Sequence, residues 1–172
     1  MNVGALFFET LTYSPDPNQP ALTTSEKRHA VIETAKQLTS IGGDVYKAEF
    51  PVNTNETNDA AEWEDACQEL TEASNIPWVL LSAGVDYDTF ASQTEVACRS
   101  GASGILAGRA IWKEAVDLSG QDRTNFIRET ALSRMQRLDE ICRAEATPWT
   151  DWYVGPPTEE SWYADYHDQG LD

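Results

Sequence analysis

The chain has 172 residues, 41% hydrophobic and 24% charged, with 29 acidic against 12 basic side chains and a net charge of −17. That length supports one domain with a real core, and six Trp, six Tyr and five Phe exclude a solvated, fully disordered chain. No apolar run approaches the roughly 18–20 residues that cross a bilayer, and the strongly negative field disfavours nucleic acid or an anionic membrane as partner.

The first residues carry no basic stretch and no small-residue cleavage site, so no signal peptide is read. Cys67, Cys98 and Cys142 are an odd number at wide spacing, which fits neither a disulfide framework nor a zinc set. A reducing cytoplasm is the expected setting. Four lysines and eight arginines against the acids resemble the surface of a salt-adapted (halophilic) protein, with an ordinary acidic protein as the alternative.

Val3–Glu9 reads as a first strand. A turn-rich loop, 14–20, follows. Thr23 and Glu26 have capping-box spacing and open a helix whose apolar positions are Ala30, Val31, Ala35, Leu38 and Ile41, stopped by Gly42 and Gly43. Asp44–Pro51 is β-branched and aromatic, a second strand. Thr57–Ser74 reads as a helix, and Pro77–Ser82 as a third strand. A helix beginning at Asp86 or Asp88 runs to Gly101, with Phe90, Val96 and Ala97 on its apolar face. Gly104–Gly108 is a short fourth strand, followed by a helix over Ala110–Val116 and a longer one over Arg123–Ala144. Strands alternating with helices predict parallel βαβ units. The second strand then carries Lys47 and Glu49 on one face and Tyr46, Ala48 and Phe50 on the other. A polar face turned inward is barrel-like, and four parallel units in place of eight make an α/β fold of half a barrel: a half TIM (β/α)8 barrel. Residues 1–153 are expected to form this domain, closing on a C-terminal helix. Residues 154–172 read as an acidic, aromatic, irregular tail, whose aromatics would serve peptide binding or pack over the helices.

Lys47 is the first candidate for chemistry. An amine drawn out of water in an apolar strand is freed to act as a nucleophile toward a ketone. The structural alternative is an ion pair with Glu49 or Glu9. Glu9 ends the neighbouring strand, close enough to move protons for Lys47, or is simply an exposed acid. Ser82-Ala83-Gly84 and Ala107-Gly108-Arg109 are turns at successive strand ends that offer backbone N–H groups, and Arg109 can clamp a phosphate; the alternative is that Gly84 and Gly108 only turn the chain. His29 reads as a surface residue and His167 as part of the tail. No nucleotide-binding, zinc-protease or serine-hydrolase signature is present.

With these residues in place, Phe7–Tyr13, Asp44–Asn53, Pro77–Val85, Gly101–Trp112 and Ala146–Trp149 resemble the C-terminal half of the class I aldolases of the tagatose 1,6-bisphosphate aldolase family, which includes the sulfofructose-phosphate aldolases. The similarity runs from about residue 4 to residue 153. It implies that Lys47 is the Schiff-base lysine of barrel strand six and Glu9 the acid/base glutamate of strand five, with Glu49 supporting. It implies that Ser82, Gly84, Gly108 and Arg109 bind phosphate after strands seven and eight. The implied reaction is reversible aldol cleavage of a ketohexose phosphate to dihydroxyacetone phosphate and a three-carbon aldehyde, with no metal and no cofactor. The family's first four strands are absent, with an active-site lysine of strand four. A homo-oligomer, or a separate chain bearing the N-terminal half barrel, would complete the cylinder. The alternative is a non-catalytic remnant that binds a sugar phosphate or associates with an aldolase.

Overall fold

The computed structural model describes residues 4–19 and 21–153. The tail reading for 154–172, with His167, lies outside the described residues. Four strands, β1 (Phe7–Glu9), β2 (Val45–Ala48), β3 (Trp78–Leu81) and β4 (Ile105–Leu106), pair in the order β1-β2-β3-β4, all parallel. Between them run α1 (Thr24–Leu38), α2 (Ala60–Ala73) and α3 (Tyr87–Arg99). A one-turn α4 (Arg109–Trp112), α5 (Gly120–Asn125) and α6 (Leu132–Glu145) follow β4, with a π-helical turn at Phe126–Ala131 before α6.

Among the described residues the sheet is dressed on one face. Tyr46, Ala48, Trp78 and Leu80, alternate residues of β2 and β3, are fully buried in one core with Val31, Ala35, Leu70 and Phe90 of the helices. Each large apolar side chain buried there contributes about 1.5–3 kcal/mol. The intervening residues Val45, Lys47 and Val79 are only half-buried on the opposite face. A doubly wound sheet reverses its strand order and carries helices on both faces. Sequential order with one bare face is how a (β/α) barrel is built, and four units of it make the expected half barrel.

The helices begin where local chemistry dictates. Thr23 and Glu26 form the reciprocal capping box, Asp59 caps α2 and Asp86 caps α3. Replacing Thr23 with Ala is expected to cost about 1 kcal/mol, read from a denaturant midpoint. Several expected boundaries are too generous. The first strand pairs only from Phe7, because the preceding backbone meets β2 mainly through Asp44, which takes the Leu6 amide on its carboxylate. The first helix stops at Leu38, and Ile41 is 73% exposed beyond it, so Ile41 is not part of the apolar stripe. The second helix begins at Ala60 rather than Thr57, because the cap is Asp59. Trp149 and Tyr153 line an open groove of about 560 Å3 on the sheet's bare side, with Phe7, Val45, Val79 and Ile105. The Tyr153 hydroxyl anchors this turn by donating to the Asp44 carbonyl.

No helix of the described residues is long and apolar enough to cross a membrane.

Candidate active site

Parallel register decides which side chains meet. Glu9 is paired with Lys47, and Lys47 with Val79, so the last residue of β1 and a residue near the end of β2 lie side by side. Across that step the Lys47 ammonium donates to Glu9 Oε2 at 2.8 Å. Lys47 keeps 24% of its side chain exposed and Glu9 44%, which places the pair at the lip of the bare face rather than deep inside the sheet. Of the two ion-pair partners open from the sequence, the fold selects Glu9.

Glu49 goes elsewhere. Pairing of β2 ends at Ala48, so the alternation that would set Glu49 beside Lys47 does not extend to it. Its carboxylate, only 6% exposed, accepts from the backbone N–H of Thr12 at 3.0 Å and from the Thr12 hydroxyl. Glu49 therefore ties the loop after β1 to the end of β2, and no ion pair joins it to Lys47 among the described residues. Tyr46, behind Lys47, donates its phenol to Thr10 at 3.1 Å, and burial pushes that phenol's pKa up. Thr10 and Thr12 escaped the sequence reading. Their signal was the run of hydroxyl residues directly after Glu9.

The two glycine turns come together. Ser82 sits almost buried at the end of β3, and its carbonyl accepts from Val85 N–H at 3.1 Å to close a tight turn. Within that turn Ala83 has φ +46° and Gly84 φ +82°, a left-handed pair that only Gly adopts freely. The Arg109 guanidinium, reaching over from the turn after β4, lies against Gly84, where a Cβ would stand 3.3 Å from its Cζ. Lys113, one turn after Arg109, donates to the Gly84 and Val85 carbonyls at 3.3 and 3.2 Å and holds the turn from the same side. Lys113 was missed in the sequence; its four-residue spacing from Arg109 was the available sign. Gly108 precedes α4, and an added Cβ there would meet the Trp112 indole at 3.4 Å. The expected helix over Ala110–Val116 is one α-helical turn followed by a 3-10 turn, Lys113–Val116. Its dipole is correspondingly small, so the side-chain charges of Arg109 and Lys113 dominate the field at this turn.

Gly84→Ala is expected to lose about 1 kcal/mol of stability from its positive φ, and to displace Arg109. Denaturant titration checks the first effect. A weakened response to inorganic phosphate, followed by calorimetry, checks the second.

Ser82 lies three residues beyond Val79, the register partner of Lys47, or about 10 Å farther toward the C-terminal end of the sheet. The amine, the carboxylate and the cationic turn thus stand at one end of the strands, the end where (β/α) barrels place their chemistry. Among the described residues no cluster of His, Cys, Asp and Glu is suited to hold a metal ion.

Comparison with known proteins shows the family. The profile of the DeoC/LacD family aldolases matches residues 8–114. Tagatose 1,6-diphosphate aldolase 2 of Streptococcus mutans is 29% identical over 164 residues, 84% of this chain and 50% of that protein. Tagatose 1,6-diphosphate aldolase of Staphylococcus aureus strain JH9 is 30% identical over 162 residues, 83% of this chain and 50% of that protein. The chain spans about half the length of these relatives. With the profile covering Glu9, Lys47 and both glycine turns, and with the sheet order of a barrel, the chain belongs to the DeoC/LacD aldolase family.

Proposed function

We propose that this chain carries the Schiff-base half of a class I aldolase that cleaves a ketohexose phosphate reversibly. The observation that supports it most is the 2.8 Å contact between the Lys47 amine and the Glu9 carboxylate at adjacent strand ends. A lysine must lose a proton before it can attack a ketone, and a carboxylate in direct contact is placed to take it. The amine adds to the ketone carbon, and the carbinolamine releases water to leave an iminium. The scissile C–C electron pair flows into that iminium to give an enamine, while the hydroxyl of the departing fragment gives up its proton. The departing fragment leaves as the three-carbon aldehyde. Protonation of the enamine and addition of water then free dihydroxyacetone phosphate and restore Lys47. Glu9 serves these proton movements in turn.

Arg109 and the Gly84 turn are proposed to hold the phosphate, with the almost buried Ser82 at the foot of that turn and Gly108 leading into Arg109. An exposed guanidinium lying against an open backbone turn is suited to bidentate contact with a phosphate. Glu49 is proposed to support the site through Thr12, where it fixes the loop that follows Glu9.

The bare face sets the partner. Leu6, Phe7 and Leu106 are 52, 49 and 42% exposed along the groove side and outer strands of the sheet, an apolar surface of the kind an interface covers. Closing the cylinder requires four further β/α units, from the N-terminal half of the family's barrel or from an oligomer. Either would also pair the edges of β1 and β4 that are unpaired among the described residues.

Borohydride reduction in the presence of dihydroxyacetone phosphate tests the proposal. The expected result is a mass increment on Lys47, with the chain alone or joined to the missing β/α units. No adduct in either form overturns the aldolase reading and leaves a sugar-phosphate-binding remnant.

A further inference from the structure

A second cavity opens at the C-terminal rim, beside the site just described and sharing Thr12, Glu49 and Ala83 with it. Its volume is about 310 Å3, and its walls include Thr12, Lys27, Glu49, Asn53, Val85 and Gln93, but not Lys47, Glu9, Ser82 or Arg109. That is the small end of the range for small-molecule sites.

Three of its walls carry polar groups that have no protein partner among the described residues and stay open to solvent in the cavity. Gln93, on α3, is only 4% exposed, yet its carboxamide makes no hydrogen bond there. Lys27, in the first turn of α1, lines the same space, and its ammonium joins no ion pair or hydrogen bond. Burial holds its pKa below the ordinary lysine range, against the pull of the nearby Glu49 carboxylate. Glu49 spends one oxygen, Oε2, on both Thr12 contacts and leaves Oε1 without a partner. Asn53, by contrast, is already engaged, donating to the Leu22 carbonyl at 2.8 Å and accepting from Asn55 N–H at 3.1 Å. The open valences are therefore an ammonium, a carboxylate oxygen and an amide, which face one small space.

We propose that this cavity binds a small neutral polyol, whose hydroxyls bridge Lys27, Glu49 Oε1 and Gln93. The charges of Lys27 and Glu49 offset one another, so the site has no net attraction for an ion of either sign. An anion would meet a buried carboxylate in a chain of net charge −17, and a cation would meet the ammonium. A hydroxyl accepts from Lys27 and donates to Glu49 with one atom, and a carboxamide serves it in either direction. A chain of adjacent hydroxyls serves all three groups without bringing a further charge into the cavity.

Calorimetric titration of the full chain with a hexitol, glucitol, tests this. Saturable binding is expected, weakened about tenfold or more in Lys27→Met, as for loss of one charged hydrogen bond, and weakened also in Gln93→Leu. Lys27 is half-exposed, so its variant remains informative where Gln93→Leu fails to fold. Lys47→Met is expected to bind glucitol unchanged, which separates this site from the aldol chemistry. A response that does not saturate, or equal affinity in Lys27→Met, overturns the proposal. So does saturable binding of inorganic phosphate or glycine that Lys27→Met abolishes, since the cavity would then take an ion.

Discussion

Lys47→Met is expected to abolish the borohydride-trapped adduct and to remove essentially all aldol cleavage from the completed barrel. Loss of a covalent nucleophile costs on the order of a million-fold where it has been measured in other enzymes, because no neighbouring group replaces the bond it forms. Glu9→Gln should behave differently. It keeps the size of the side chain and its hydrogen bond to Nζ but can no longer take a proton. Turnover should fall by about 10²–10⁴-fold, the usual contribution of a general acid–base group. Adduct formation should survive slowly, because a lysine without its carboxylate still loses its proton to solvent. Rapid quench with borohydride separates the two variants: no adduct at any time for Lys47→Met, delayed adduct for Glu9→Gln. Equal and complete loss in both would mean that Glu9 only holds the lysine in place. Full activity in Glu9→Gln would return the 2.8 Å contact to a structural ion pair.

Trp78→Ala is expected to destabilise the chain by about 3–5 kcal/mol, the range for truncating a buried Trp. Against a typical total of about 5–15 kcal/mol this approaches loss of folding. Trp78 is fully buried at the start of β3, where its indole N–H donates to the Thr71 hydroxyl at 2.9 Å. Thr71 in turn donates to the Ser100 carbonyl, so one side chain links β3, α2 and the end of α3. Truncation opens a cavity between sheet and helices and removes a partner from a part-buried hydroxyl. Urea titration of the chain reads the loss as a fall in midpoint. Trp149→Ala supplies the contrast. Trp149 is 58% exposed on the bare side of the sheet, so its removal should change the chain's own stability by less than about 1 kcal/mol. Its cost should appear instead when the chain is joined to the units that close the barrel.

Much of this architecture was legible because it is written in short-range patterns. Thr23 and Glu26 marked a helix start that the structure reproduces to the residue, since a capping box needs only four consecutive positions. Alternation along Tyr46-Lys47-Ala48 placed the lysine on the face away from the helices, since a strand turns its side chains over every residue. The errors cluster where a local pattern ran past its element. Ile41 continued the helical period beyond the last turn of α1. Glu49 continued the strand alternation beyond the last pair of β2. In both places the backbone had already left the geometry on which the period depends.

From its residues alone this protein is a parallel β/α chain with a lysine on the inner face of one strand, an acid at the end of another and glycine turns after two more. Those features follow from period, propensity and turn chemistry, which act over a few residues. Only the folded chain decided that Lys47 bonds Glu9 and not Glu49, that Arg109 rests on Gly84, and that Lys27, Glu49 and Gln93 share one cavity. Each of those contacts joins residues 22 or more positions apart in the chain. Strand register and helix packing determine them, and both are cooperative properties of the whole sheet that no single stretch of sequence contains.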